Sequence, residues 1–134
     1  MKKLLLFAAL SVGSLSIAQS VTIGPSQDNS IYSDATVNSN GLGRLFSGNT
    51  CGGGLRRALL QFDIAGNIPA GETITSVQLD LNVDNVSAGA TNDDYNLHIA
   101  TTAWGEGTSN GGGTGAAAVA PDATWTDAMF GTTT

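Results

Sequence analysis

Proton-transfer chemistry has one imidazole available, His98, and no second histidine stands anywhere in the sequence to share a metal or relay a proton. It falls in Tyr95-Asn96-Leu97-His98-Ile99, where alternation places it on the wet side of a strand. A solvated strand residue is therefore the ordinary reading, ahead of a general base or ligand. A serine nucleophile would need an exposed position at a strained turn such as Gly-x-Ser-x-Gly, and none is expected here. Ser30, Ser47 and Ser109 are not read as nucleophiles on that ground. The eleven acidic residues could in principle include a glycosidase pair. Asp93 and Asp94 are adjacent and would point oppositely on a strand. Asp80 and Asp84 share a wet face but are spaced beyond direct neighbours. Glu106 is the best single acid, yet it has no partner with which to divide acid and base roles. No catalytic residue is assigned, and the chain is expected not to be an enzyme.

Binding chemistry is better represented. Asp28, Asn29, Asp34, Asn38 and Asn40 crowd hard oxygen atoms into a loop-rich stretch, which suits a structural calcium ion. The spacing does not follow an EF-hand loop, and Asx-turns explain the same residues. Aromatic rings stack on the apolar faces of sugars. Trp104, Trp125 and Tyr95, with Glu106 beside the first, form the expected ligand-binding set. The competing role for Trp104 is to cap the core. The glycine run from Ser109 to Gly115 lacks the Lys-Ser/Thr of a phosphate cradle and reads as a surface loop. Cys51 is the only cysteine, so no intrachain disulfide can form.

These residues must be carried by strands. The chain is rich in Gly, Thr, Ser, Asn and Asp, a usage that favours strands joined by turns. The clearest strand is Thr73 to Asp84: Val77, Leu79, Leu81 and Val83 alternate with Gln78, Asp80, Asn82 and Asp84. A second runs from Leu55 to about Ile64, with Ala58, Leu60, Phe62 and Ile64 on one face and Leu59, Gln61 and Asp63 on the other. Gly66 to Gly71 makes the turn between them. A third is Tyr95 to Ile99. Weaker strands are Val21 to Ile23, Ser30 to Asp34 and Arg44 to Ser47, and Ala116 to Ala120 is too short to count as a helix. Short strands at this spacing predict an all-β, antiparallel sandwich or barrel.

Residues 1–18 read as a cleaved signal peptide: Lys2 and Lys3, an apolar stretch from Leu4 to about Ile17, and Ser16-Ile17-Ala18 before the cut. Ser11, Gly13, Ser14 and Ser16 interrupt the stretch, which argues against a membrane anchor. No cysteine follows closely, so no lipid attachment site is expected, and the chain is read as secreted or cell-surface. Residues 19–134 then form one domain. The whole chain carries −6, and without Lys2 and Lys3 of the leader this becomes −8. Such a surface repels phosphate backbones, which excludes nucleic acid as the expected partner. Thr124-Trp125 and Met129-Phe130 end beside a polar tail, so the sandwich is expected to lack its last strands.

The ordered motifs carry a resemblance. Asp28-Asn29-Ser30-Ile31, Leu55 through Ile64, Ile68 through Ile74, Leu79 through Val83, Trp104-Gly105-Glu106-Gly107 and Ala123-Thr124-Trp125 resemble the DNRLRE family, also described as disaggregatase-related. The similarity spans nearly all of residues 19–134. It implies a jelly-roll-like β-sandwich in secreted or surface proteins, often appended to polysaccharide-degrading enzymes or adhesins, with some relatives acting as carbohydrate-binding modules. Relatives usually continue past the Thr-Trp motif, which this chain does not, and no sorting domain follows. The expected function is thus a non-catalytic module binding polysaccharide. The alternatives are a structural or adhesive spacer and, less favoured, a piece of a polysaccharide lyase or hydrolase.

Overall fold

A computed structural model describes residues 19–91 and 94–132. The leader, Asn92 and Asp93 lie outside the described residues. The protein is all-β, built on one antiparallel five-stranded sheet. Its strands are β1 (Gln27–Tyr32), β2 (Asn38–Ser39), β3 (Gly48–Asn49), β4 (Leu55–Gln61) and β5 (Ala116–Ala117). They are ordered β3-β4-β1-β2-β5.

The centre of the sheet is the pairing of β1 with β4, registered Asn29 to Leu59 and Ile31 to Arg57. The ladder extends at both ends, where Ser26 N–H donates to the Gln61 carbonyl (2.7 Å) and Ser33 N–H to the Leu55 carbonyl (3.0 Å). Because cross-strand partners share a face, Asn29, Ile31, Arg57 and Leu59 lie on one side. Ser30, Tyr32, Arg56 and Ala58 lie on the other. The parity expected for β4, with Leu59 and Gln61 opposite Ala58 and Leu60, is the one observed.

β4 stops three residues before the expected end. Asp63 turns the chain by capping a one-turn helix, α1 (Ile64–Asn67), its Oδ1 accepting from Gly66 N–H at 2.9 Å. The strand expected at Ser30 to Asp34 begins earlier, at Gln27. Arg44 to Ser47 gives way to β3, and Val21 to Ile23 is not a strand. Ala116 and Ala117 form a short edge strand against Asn38 and Ser39.

The larger departure concerns the two most regular patterns in the chain. Thr73 to Asp84 and Tyr95 to Ile99 pair with no strand, and their apolar side chains are exposed along with their polar ones. The expected half-buried face is therefore not buried, and no second sheet forms among the described residues. Alternation determines which side chains would be covered together, but covering them requires a partner at a distance in sequence.

The core is correspondingly small. Ile31, Trp104 and Ala123 are buried together, with Leu59 and Trp125 packed against them. Much of the remaining interior is polar: Asn29, Ser30, Ser39, Asn40 and Asp122 are all fully buried. Every buried side-chain nitrogen and oxygen among the described residues has a hydrogen-bond partner, as burial of polar atoms requires.

Candidate functional site

The sheet face carrying Ile31 and Leu59 is covered by two irregular segments, around residues 104–109 and 119–130. Backbone bonds lace them together: Ala123 N–H donates to the Gly105 carbonyl (2.7 Å), and Gly105 N–H donates to the Ala128 carbonyl (3.0 Å). Two glycines make the approach possible. A Cβ on Gly105 would collide with the Pro121 carbonyl, and one on Gly107 with the Asp122 carboxylate. Gly107 also holds a φ of +69°, which favours glycine on conformational grounds. Asp122 uses the space so left, its Oδ1 accepting from Thr108 N–H (2.7 Å) and its Oδ2 from Val119 N–H (2.8 Å).

This lacing brings Trp104 and Trp125 to one open groove of about 230 Å³, floored by Ile31, Leu59 and Ala123. Trp104 is only 8 % exposed and serves as floor and core together. Trp125 forms a wall. Thr124, Trp125, Thr126 and Asp127 make a tight turn in which Asp127 N–H donates to Thr124 Oγ1 (3.0 Å) and Thr126 Oγ1 donates to Asp127 Oδ2 (2.8 Å). That turn fixes the indole. The Arg57 guanidinium lies over the indole ring, 4.5 Å from its centroid. Arg44 and Arg56 pair with Asp84 and Asp34, whereas Arg57 meets no carboxylate among the described residues. A larger hollow of about 540 Å³ opens beside Ser26, Gln61 and Asp63. Its only carboxylate is the helix cap, so the aromatic groove is the better-equipped site.

The other two expected ligand-binding residues lie elsewhere. Glu106 turns to the start of β1, where its Oε1 accepts from Asp28 N–H at 3.0 Å. Its neighbour through that contact is the Asp28 carboxyl, a pairing invisible at a separation of 78 residues. Burial first, and the Glu106 charge second, raise the Asp28 carboxyl above its ordinary range. Tyr95 places its hydroxyl beside Gly48, and it does not line the groove.

The five residues expected around calcium have other engagements. Asn29 Oδ1 accepts from Ser39 Oγ–H (2.9 Å) and Asn40 N–H (3.1 Å), while its Nδ2 donates to the Glu106 carbonyl (2.9 Å). Asn40 Oδ1 accepts from Gly111 and Gly112 N–H, and its Nδ2 donates to the Arg44 carbonyl. Asp34 is held in a two-pronged bond by Arg56, whose guanidinium keeps its carboxyl below the usual carboxylate range. Asn38 Nδ2 donates to the Thr114 carbonyl, and Asp28 faces Glu106. Among the described residues no group of three or more His, Cys, Asp or Glu side chains could hold a metal ion.

The glycine run is more than a surface loop. Its amides bind the Asn40 carboxamide, and its carbonyls at Gly112 and Gly113 accept from the Tyr32 hydroxyl (2.7 Å) and Arg56 Nε (3.0 Å). The Gly-x-Ser-x-Gly spacing, not expected above, is present around Ser109 as Gly107-Thr108-Ser109-Asn110-Gly111. The hydroxyl is buried and accepts from Gly41 N–H at 3.3 Å, and no strand-to-helix elbow surrounds it. His98 is exposed in the unpaired segment. The spacing here serves packing.

No protein-family model, no curated protein and no solved structure matches this chain.

Proposed function

We propose that this chain is an exported, non-catalytic β module that binds polysaccharide in the Trp104–Trp125 groove. The reading rests on one observation: two indoles far from β1 and β4 in sequence converge on an open groove rimmed by Thr124, Thr126 and Asp127. Apolar ring faces beside hydroxyl and carboxylate groups match the mixed surface of a pyranose. The leader-like residues 1–18 and the ordered motifs that resemble the DNRLRE family support the same reading, and that resemblance implies a jelly-roll-like sandwich.

Affinity electrophoresis on a panel of polysaccharides tests it. Retention on at least one glycan is expected, and Trp125→Ala abolishes it while the far-ultraviolet circular dichroism stays unchanged. Trp104→Ala behaves differently, because that ring is core: it costs about 3–5 kcal/mol of stability. Free mobility of the unaltered chain on every glycan of the panel would remove the proposal.

A second reading, a structural or adhesive spacer, is favoured by the exposed apolar side chains between Val77 and Ile99. It expects no glycan retention and an assembly surface in that segment.

A further inference from the structure

The sequence holds two Asn-Gly pairs, Asn40-Gly41 and Asn110-Gly111, and the fold lays one against the other. Such a pair is prone to attack on itself, because a glycine amide has no Cβ beside it to keep it from the preceding carboxamide carbon. Packing fixes both glycines in place. A Cβ on Gly41 would collide with the Glu106 carbonyl, and one on Gly111 with the Gly115–Ala116 peptide. In each pair the glycine amide is held by the other segment. Gly41 N–H donates to Ser109 Oγ (3.3 Å), and Gly111 N–H donates to Asn40 Oδ1 (2.9 Å). The two asparagines differ in their own carboxamides. Asn40 is 1 % exposed, its Nδ2 donating to the Arg44 carbonyl (2.8 Å) and its Oδ1 accepting from Gly111 and Gly112 N–H. Asn110 is exposed, and among the described residues no hydrogen bond holds its carboxamide.

We propose that Asn110 is a site of spontaneous deamidation, and that the Asn40 carboxamide gates it by holding the Gly111 amide. Water is the only co-reactant. The Gly111 nitrogen gives its proton to solvent and attacks Asn110 Cγ. A C–N bond forms, the Cγ–Nδ2 bond breaks, and the side-chain nitrogen leaves as ammonia. Water then opens the cyclic imide at either carbonyl, leaving aspartate or isoaspartate at position 110. While the Gly111 N–H is bonded to Asn40 Oδ1, its nitrogen is neither free to lose its proton nor free to turn toward Cγ. The reaction therefore runs through local opening of that bond. The product acts back on the fold. Isoaspartate adds a methylene to the backbone directly before Gly111 to Gly113, the stretch that binds Asn40, Tyr32 and Arg56. The site is independent of whether the tryptophan groove binds glycan.

Peptide mapping by mass spectrometry of the purified chain, aged in mildly alkaline buffer, tests the proposal. In the folded chain Asn110 is expected to convert ahead of Asn40, and in concentrated urea both pairs convert faster and at similar rates. Asn40→Ala removes the acceptor of the Gly111 N–H and is expected to speed conversion at Asn110 about tenfold, the weight of one hydrogen bond. A second measurement serves where that substitution loosens the whole fold. In the unaltered chain, hydrogen exchange at the Gly111 amide and conversion at Asn110 should climb together as urea is raised below the unfolding transition, since both need the same opening. The proposal is overturned by conversion at Asn110 as fast in the folded chain as in concentrated urea, or by conversion at Asn40 first. An unchanged rate in a folded Asn40→Ala chain, or an Asn110 rate that stays level while Gly111 exchange climbs, overturns it equally.

Discussion

Asn29 does the most of any single side chain. It is fully buried on the central strand, and its carboxamide binds the β2 region with one end and the Trp104 segment with the other. In the sequence it looks like a calcium ligand, because an amide oxygen beside an aspartate suits a hard cation equally well. The difference lies in what surrounds it: backbone N–H and C=O groups from three segments, and no converging carboxylates. Asn29→Ala removes both ends of that bridge and strands several buried polar groups. A loss of about 2–4 kcal/mol is expected, each orphaned group costing on the order of 1–3 kcal/mol. Chemical denaturation monitored by tryptophan fluorescence measures it. A loss below about 1 kcal/mol would mean that water replaces the amide. Trp104 teaches the same lesson from the apolar side, since a ring expected to bind sugar is packed into the core.

At the scale of elements, β1 and the Trp104 segment meet at two carboxyl groups, Asp28 and Glu106. The Asp28 carboxyl is raised by burial and then by Glu106, so in the folded protein its charged form is the disfavoured one. The stability linked to its proton is fully present below the unfolded value near 3.8 and is lost as pH rises through the higher folded value. Asp28→Asn should therefore raise the melting temperature at pH 7, and the gain should vanish in acid where the native carboxyl is already neutral. Thermal melts of both proteins across pH 3 to 7, the range set by the ordinary carboxylate values, check the sign. An equal difference at every pH would show that the substitution acts through packing. Asp34 runs the opposite way, because Arg56 lowers its carboxyl; its contribution is present above its unfolded value and is lost as pH falls through the folded one. The element boundaries tell a related story. The face parity of β4 is legible in the sequence from Leu55 to Gln61, while Asp63 caps a helix where the alternation predicts a continuing strand. Period-two alternation is local and survives reading, whereas a capping bond depends on backbone geometry that the pattern does not carry.

For the whole molecule, net charge governs association. Residues 19–134 carry eleven acidic side chains against Arg44, Arg56 and Arg57, of which two are already paired. Two copies thus repel at long range, and salt screens that repulsion within about 10 Å at 0.1 M. Stacking of a neutral glycan on Trp125, in contrast, should be nearly indifferent to salt.

The sequence alone determined that the protein is all-β and that β4 presents Leu59 and Leu60 to opposite faces. Those conclusions rest on composition and on period-two alternation, which are properties of neighbours in the chain. Only the tertiary structure decided that the two tryptophans share a groove and that Asn29 and Asn40 bind backbone. It also decided that Glu106 faces Asp28, and that the most regular alternation, from Val77 to Val83, lies uncovered. Each of these depends on contacts between residues far apart in sequence. A pattern can name the face to be buried, but the surface that buries it belongs to another part of the chain or to another molecule.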